Sequence, residues 1–285
     1  MKTEDLPIYT DLTGKVAVVT GAGGLICSAI AEGLAACGAK VALLDLNYDA
    51  ANGYAQKIIA DGGIAKAYTC NVLQKDSIAA AHQAILEDFG PCDILINGAG
   101  GNNKRAQTDN ETATIDDLDD EYKSFFDLEE SGVNFVFNLN YMGTMLPTQE
   151  FAKDMVKAQS GNIINISSMN AYRPLTKIPA YSGAKAAVSN FTQWLAVYFA
   201  DLHIRVNGIA PGFLSTAQNK SLLWNEDGTP TPRTGKILAS TPMKRFGEID
   251  EMIGAIIFLV NDKAASFITG TVIPIDGGFN AYAGV

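Results

Sequence analysis

Residues 16–38 read VAVVTGAGGLICSAIAEGLAACG, and their reading decides the fold. A β-branched run closes at Thr20, three glycines (Gly21, Gly23 and Gly24) turn the chain, and an apolar-periodic segment of helical length follows. Missing side chains let backbone N–H groups approach a pyrophosphate at the positive end of a helix. A tight turn needs glycine too, so the cluster gains meaning from its surroundings. The next β-branched run, VALLD, ends in Asp45 roughly 20 residues beyond the turn, where the dinucleotide fingerprint places a carboxylate for the adenosine ribose hydroxyls. An acid there repels a 2′-phosphate, and neither the turn nor Leu46, Asn47 and Tyr48 contains Arg or Lys. The expected cofactor is NAD(H) rather than NADP(H).

Working outward, similar runs recur: AYTCNV near Cys70, DILIN ending at Asn97, NIINIS ending at Ser167, IRVNGIA around Asn207 and VIPID ending at Asp276. Near-continuous apolar strands alternating with helix-length segments predict an α/β fold, a single Rossmann-type doubly wound parallel sheet of about seven strands with helices on both faces. No repeat or linker divides the chain, so 1–285 is expected to be one domain. Two stretches break the alternation, 98–123 and 212–247, and are expected to be long substrate-side loops. The second carries NEDGTPTPR, a turn-rich segment read as mobile.

Composition narrows the function. Apolar residues make up 47% and charged residues 18%, enough for a buried core and unlike a disordered chain. The net charge of −10 opposes nucleic acid and anionic membranes as partners. The first twelve residues hold three acids and no apolar run, unlike a signal peptide, and the longest apolar stretch falls short of a membrane span. Four cysteines (Cys27, Cys37, Cys70 and Cys92) form no CxxC pair, which predicts reduced thiols and a cytoplasmic location. With only His82 and His203, and no HExxH, no metal site is expected.

Tyr181 and Lys185, in YSGAK, stand four apart on one face of a predicted helix. Ser168 ends the fifth strand thirteen residues upstream, NGAG (Asn97–Gly100) ends the fourth, and Pro211 and Gly212 follow the sixth. Together, over about residues 15–279, these resemble the short-chain dehydrogenase/reductase family. The resemblance implies Tyr181 as catalytic acid/base, Lys185 as the residue that lowers its pKa and holds the nicotinamide ribose, Ser168 as donor to the substrate carbonyl, and Asn140 as support for a proton relay through water. It also implies cofactor contacts from Gly21, Gly23, Gly24, Leu25, Ile26, Asp45, Asn71, Val72, Asn97, Gly98, Ala99, Tyr181, Lys185, Pro211, Gly212, Phe213 and Thr216. A phenol with a reference pKa of about 10 is a poor base at neutral pH, and a nearby ammonium with a cationic nicotinamide favours the phenolate.

The chain departs from the family's TGxxxGxG turn at Leu25 and Cys27. From the helix start, the Cys27 side chain is expected to point toward the pyrophosphate, weakening or shifting cofactor binding. Asn71 stands where the family commonly has Asp after the third strand. Several strings (NGAGGNNKRAQT, FVFNLNYMGTMLPTQEFAKDM, SSMNAYRPLTKIPAYS, IAPGFLSTAQNKSLL and TPMKRFGE) are similar to the D-mannonate oxidoreductase, or fructuronate reductase, branch. That implies NADH-dependent reduction of D-fructuronate at C5, reversibly. A gluconate 5-dehydrogenase or polyol dehydrogenase, and a non-catalytic NAD-binding regulator, are the alternatives. Arg offers a fork that matches a carboxylate, so Arg173, then Asn102 and Asn103, are the expected substrate contacts, with Lys104, Arg105 and Lys177 as further cations. The family implies a homotetramer, and the nearly all-apolar segment 184–200 suits burial between sheet and neighbouring subunit.

Overall fold

Seven runs of β-branched and aliphatic residues lie side by side in the computed structural model, which describes residues 1–118, 122–216 and 223–284. They are β1 (Val16–Thr20), β2 (Lys40–Asp45), β3 (Ile64–Thr69), β4 (Ile94–Asn97), β5 (Gly161–Ile166), β6 (Ile204–Pro211) and β7 (Val272–Ile275). Their order is β3-β2-β1-β4-β5-β6-β7, and every pair is parallel. The order reverses between β1 and β4, where Thr20 pairs with Asn97, and a crevice opens at such a switch point beyond the strand ends.

Both faces of the sheet are covered. Helices α1 (Leu25–Ala36), α2 (Tyr48–Ala60) and, after β6, α8 (Ile253–Val260) pack Ile30, Leu34, Ile58 and Ile256 on Val19 and Leu43. On the opposite face α3 (Lys75–Asp88), α5 (Gly143–Ala158) and α6 (Pro179–Tyr198) pack Ile78, Phe151, Met155 and Phe191 on Val18, Leu95 and Ile163. Local signals start and stop these helices. Asn47 caps α2 by accepting from the Ala50 N–H at 3.2 Å, and Pro179 opens α6, where its missing N–H has no partner to lose. A short α4 (Glu130–Phe137) runs into a π-helical turn, Asn138–Met142, before α5.

Two expectations change. The third strand ends at Thr69, before Cys70, and starts earlier than the run AYTCNV suggests. It is an edge strand, so its residues alternate in burial rather than forming one apolar block. The second long loop contains a helix, α7 (Pro232–Ser240), with Thr231 accepting from the Thr234 N–H and Pro232 in the first turn. The TPTPR string read as mobile is therefore a helix start. The turn is confined to Asn225–Thr229, where Asn225 and Thr229 pair and Gly228 takes a φ of +80°. The parts of the two predicted loops at 119–121 and 217–222 lie outside the described residues.

Candidate active site

The glycine turn is built for close approach. Gly21 has a φ of +68°, and a Cβ there would stand 2.8 Å from Ala99 backbone atoms. Gly24 is the N-cap of α1 and brings no side chain to the helix's first N–H groups. Asp45 leans into the turn, its carboxylate accepting from the Gly23 N–H at 2.9 Å and the Asn47 N–H at 2.8 Å. A cleft of about 490 Å³ opens here. Its walls include Gly21, Gly24, Leu25, Ile26, Asp45, Asn71, Val72, Gly98, Ala99 and Thr216, all expected. Leu46, Cys70, Gly100 and Leu139 also line it, without any sequence signal beyond their nearness to strand ends and to the π turn. An uncapped helix start, side-chain-free backbone and a carboxylate at the end of β2 fit a nicotinamide adenine dinucleotide.

Asn97, Gly212 and Phe213, expected at the cofactor, are not among those walls. Asn97 is buried and turned inward, donating to Thr148 Oγ1 and Asn165 Oδ1, both at 2.9 Å. Gly212 follows Pro211 at the end of β6 and presses on the backbone of Asp276, and Phe213 faces a separate cavity of about 230 Å³ beside Met243 and Arg245. Asn71 lines the cleft, but its Oδ1 accepts from the Leu73 N–H at 3.0 Å.

Cys27 lines the same cleft, beside Leu25 and Ile26. Its side chain is buried, and a Cβ on Gly98 would lie 2.0 Å from its Sγ, so the thiol fills the seam between α1 and the end of β4. Burial pushes the thiol up to about 12.

Beyond the cleft stand the four polar residues singled out by the sequence. Ser168 follows β5 and caps the short turn Met169–Ala171, its Oγ accepting from the Asn170 N–H at 3.3 Å. Tyr181 and Lys185 lie one turn apart on α6, with the ammonium 5.7 Å from the phenol ring centre. Burial raises the Tyr181 phenol, and a hydrogen bond with Ser168 pulls it back. The downward pull thus comes from Ser168 rather than from Lys185, because the lysine Nζ is turned to the Ile166 carbonyl at 2.7 Å. Burial brings Lys185 itself down to about 8.

Asn140 sits within the π turn. Its Nδ2 donates to the carbonyls of Gly101 (2.7 Å) and Val136 (2.8 Å), and its Oδ1 accepts from the Gly101 N–H at 3.2 Å. A Cβ on Gly100 would lie 2.7 Å from Asn140 Oδ1 and 3.2 Å from Lys185 Nζ, so the amide and the ammonium meet at this glycine. Behind them a polar chain crosses the sheet. Thr144 Oγ1 donates to the Asn140 carbonyl and Thr148 Oγ1 to the Thr144 carbonyl, Asn97 bridges Thr148 and Asn165, and Asn165 donates to Thr192 on α6, which donates to the Val188 carbonyl.

The expected substrate contacts are engaged locally. Arg173 is exposed and donates to the Tyr282 carbonyl of the C-terminal segment. Asn102 Oδ1 accepts from the Asn103 N–H at 2.8 Å, and Asn103 caps the short turn Lys104–Ala106 by accepting from the Arg105 N–H at 2.9 Å. Arg105 reaches Ser131 at 3.3 Å, and Lys177 donates to the Asp109 carbonyl at 2.6 Å. On α6, Trp194, Val197 and Tyr198 are exposed, and the rings of Phe191, Trp194 and Tyr198 stack in sequence.

Comparison with known proteins places this geometry. A family profile described as enoyl-(acyl carrier protein) reductase matches residues 21–280. An uncharacterized oxidoreductase of Haemophilus influenzae is 58% identical over 283 residues, covering 99% of each chain. The 5-keto-D-gluconate 5-reductase of Escherichia coli K12 is 32% identical over 267 residues, covering 94% of this chain and 96% of that protein. A crystal structure from Haemophilus influenza with bound NAD, provisionally named a D-mannonate oxidoreductase, superposes with a TM-score of 0.93 at 58% identity, covering 96% of this chain and 98% of that one.

Proposed function

We propose that this chain, an NAD-dependent oxidoreductase of CH–OH groups that belongs to the short-chain dehydrogenase/reductase family, interconverts D-fructuronate and D-mannonate. The observation that carries the reading is the meeting of Ser168 with Tyr181, and of Asn140 with Lys185, beyond a glycine-turn cleft with Asp45 at its ribose end. The provisional name of the NAD-bound neighbour supports the sugar acid as substrate.

NAD(H) supplies or accepts the hydride when bound. In the reducing direction Tyr181 gives its phenolic proton to the oxygen that was the C5 carbonyl, and the Ser168 hydroxyl donates to the same oxygen and orients it. Lys185, brought down to about 8 by burial, restores the phenol's proton from the side of Gly100, with Asn140 holding the far end of that path. Asp45 binds the adenosine ribose and turns away a 2′-phosphate. Arg173 takes the substrate carboxylate, exchanging the Tyr282 carbonyl for a charge-assisted fork.

A second reading, 5-ketogluconate reduction, is favoured by the likeness to the Escherichia coli reductase. The exposed aromatic face of α6 supports a homotetramer, since a stacked apolar row of this kind is unusual on a lone surface. No helix among the described residues is long and apolar enough to cross a membrane, and the four buried free cysteines support a reducing, cytoplasmic setting.

Steady-state kinetics on D-fructuronate, 5-ketogluconate and D-fructose with NADH and NADPH tests the reading. The highest kcat/KM is expected for D-fructuronate with NADH; a higher value on either other substrate overturns the substrate assignment. Tyr181→Phe should bind NADH normally and lose about 10²–10⁴-fold in turnover. Retained turnover would remove the phenol from the mechanism.

A further inference from the structure

We propose that Lys177 is a positioning residue: through its carbonyl and its ammonium it holds the segment 102–110 to the loop that enters α6, and so fixes Asn102 and Asn103 between Asn140 and Tyr181. The proposal rests on the reading of those two asparagines as substrate contacts.

The segment is attached at three points. At its root the Asn140 amide accepts from the Gly101 N–H at 3.2 Å and donates to the Gly101 carbonyl at 2.7 Å. In its middle Ala106 is fully buried in a cluster with Val136 of α4 and with Ala180 and Ala184 of α6, and Tyr181 packs against the same cluster. Gly132 of α4 admits the segment there, since a Cβ on it would stand 2.6 Å from Arg105 Cβ. The far end meets Lys177, whose carbonyl accepts from the Thr108 N–H at 3.0 Å and whose Nζ donates to the Asp109 carbonyl at 2.6 Å.

Lys177 makes both contacts from a backbone conformation that its own side chain opposes. Its φ is +71°, in the left-handed region where a Cβ crowds the following carbonyl. Such a residue persists where the surrounding contacts outweigh the strain. Glycine would take this φ freely but could not reach Asp109. The strained residue stands two places before Pro179, which opens α6, so the segment is tied to the helix start that carries Tyr181.

What the three attachments present is a pair of amides. Asn102 Oδ1 accepts from the Asn103 N–H at 2.8 Å, and Asn103 Oδ1 from the Arg105 N–H at 2.9 Å. With the oxygens engaged, the two Nδ2 groups, which have no partner among the described residues, are the ends left to donate. Such donors suit the hydroxyl or carboxylate oxygens of a polyhydroxy ketone whose carbonyl lies at Tyr181. Lys177, read from the sequence as a cation for the substrate, acts one step removed from it.

The test is amide hydrogen exchange on the ligand-free full-length protein, followed by steady-state kinetics. Lys177→Met removes the donor and keeps the aliphatic stem; exchange over 102–110 should quicken about threefold or more while β5 keeps its wild-type rate. KM for the ketone should rise about fivefold or more, with kcat held within about twofold and NADH affinity unchanged, as for a contact made equally in ground and transition states. Lys177→Arg, which keeps a donor of similar reach, should restore both readings. A lysine that met only the substrate would leave the ligand-free exchange unmoved, and that result overturns the proposal. Faster exchange with an unmoved KM overturns it too. If Lys177→Met does not fold, Lys177→Gly, which relieves the strain and also lacks the donor, gives the same two readings. The ketone used is whichever of D-fructuronate, 5-ketogluconate and D-fructose the wild-type protein reduces fastest, so failure on D-fructuronate strikes the proposed substrate and leaves both readings standing.

Discussion

Replacing Lys185 with methionine should make the ligand-free protein more stable while removing activity. The lysine is 4% exposed and burial moves its pKa from 10.5 to about 8, so keeping the ammonium charged at neutral pH opposes folding by about 3 kcal/mol at 1.36 kcal/mol per unit. Methionine fills a comparable volume without charge, but it orphans the Ile166 carbonyl, which returns about 1 kcal/mol. The net expectation is a gain of about 2 kcal/mol, or roughly 4 °C in Tm for a chain of this size. The sign depends on pH. Between about 8 and 10.5 the unfolded chain holds the proton that the folded chain has released, so wild-type stability rises with pH across that window and the advantage of Lys185→Met shrinks. Urea denaturation of both proteins from pH 6 to 10.5 measures this. A variant less stable than wild type at pH 7, or an advantage that does not narrow as pH rises, would refute the reasoning.

Asp45→Asn retains acceptors for the Gly23 and Asn47 N–H groups but removes the charge, so the ratio of NADPH to NADH efficiency should rise roughly tenfold; an unchanged ratio would mean that the carboxylate does not select the cofactor. Arg173→Met should cost about 1.5–3 kcal/mol on a sugar acid and little on a matched neutral sugar, whereas equal losses would leave the arginine as an anchor for Tyr282. Hydrogen bonds from Arg245 and the Glu248 N–H push Glu251 down to about 2. Because its folded pKa is depressed, the pair stabilises above about pH 4.5 and is lost as pH falls toward 2. Glu251→Gln should therefore be less stable at pH 7, by no more than about 1 kcal/mol for so exposed a pair, and indistinguishable at pH 2.

Strand-level architecture was legible because five of the strands are written as blocks that both sheet faces bury, ended by Gly, Asp, Asn or Ser, and the partly buried edge strand β7 keeps an apolar spelling. The edge strand β3 was blurred because solvent on one side breaks its block into alternation. Ser168, Tyr181, Lys185 and Asn140 were legible from order and spacing, since strand ends and helix starts fix where those side chains emerge. Side-chain direction was not. Asn97 ends β4 beside the cleft yet points into the protein, and Cys27 lines the cleft with its Sγ where a Cβ on Gly98 would stand. The first depends on acceptors at Thr148 and Asn165 and the second on Gly98 lacking a side chain, partners far apart in sequence. Helix α7 was hidden because Pro and Thr serve helix starts and turns alike.

The polar chain from Asn140 through Thr144, Thr148, Asn97 and Asn165 to Thr192 divides the site into two mechanical parts. Each link is buried, so separating α5 or α6 from the sheet would strand donors and acceptors at about 1–3 kcal/mol apiece. Helix α5 with the π turn before it, which holds Asn140, and α6, which holds Tyr181 and Lys185, are therefore expected to open together or not at all, and their amide protons should exchange only with the whole sheet. On the proposed function, adaptation to a substrate's shape would fall to the surface segments around Asn102 and α7, which are fastened by exposed contacts such as Lys236 with Glu111 at 2.8 Å. On the same proposed function, the groups that move protons keep fixed mutual positions, and divergence toward a new substrate would proceed in the outer segments without retuning them.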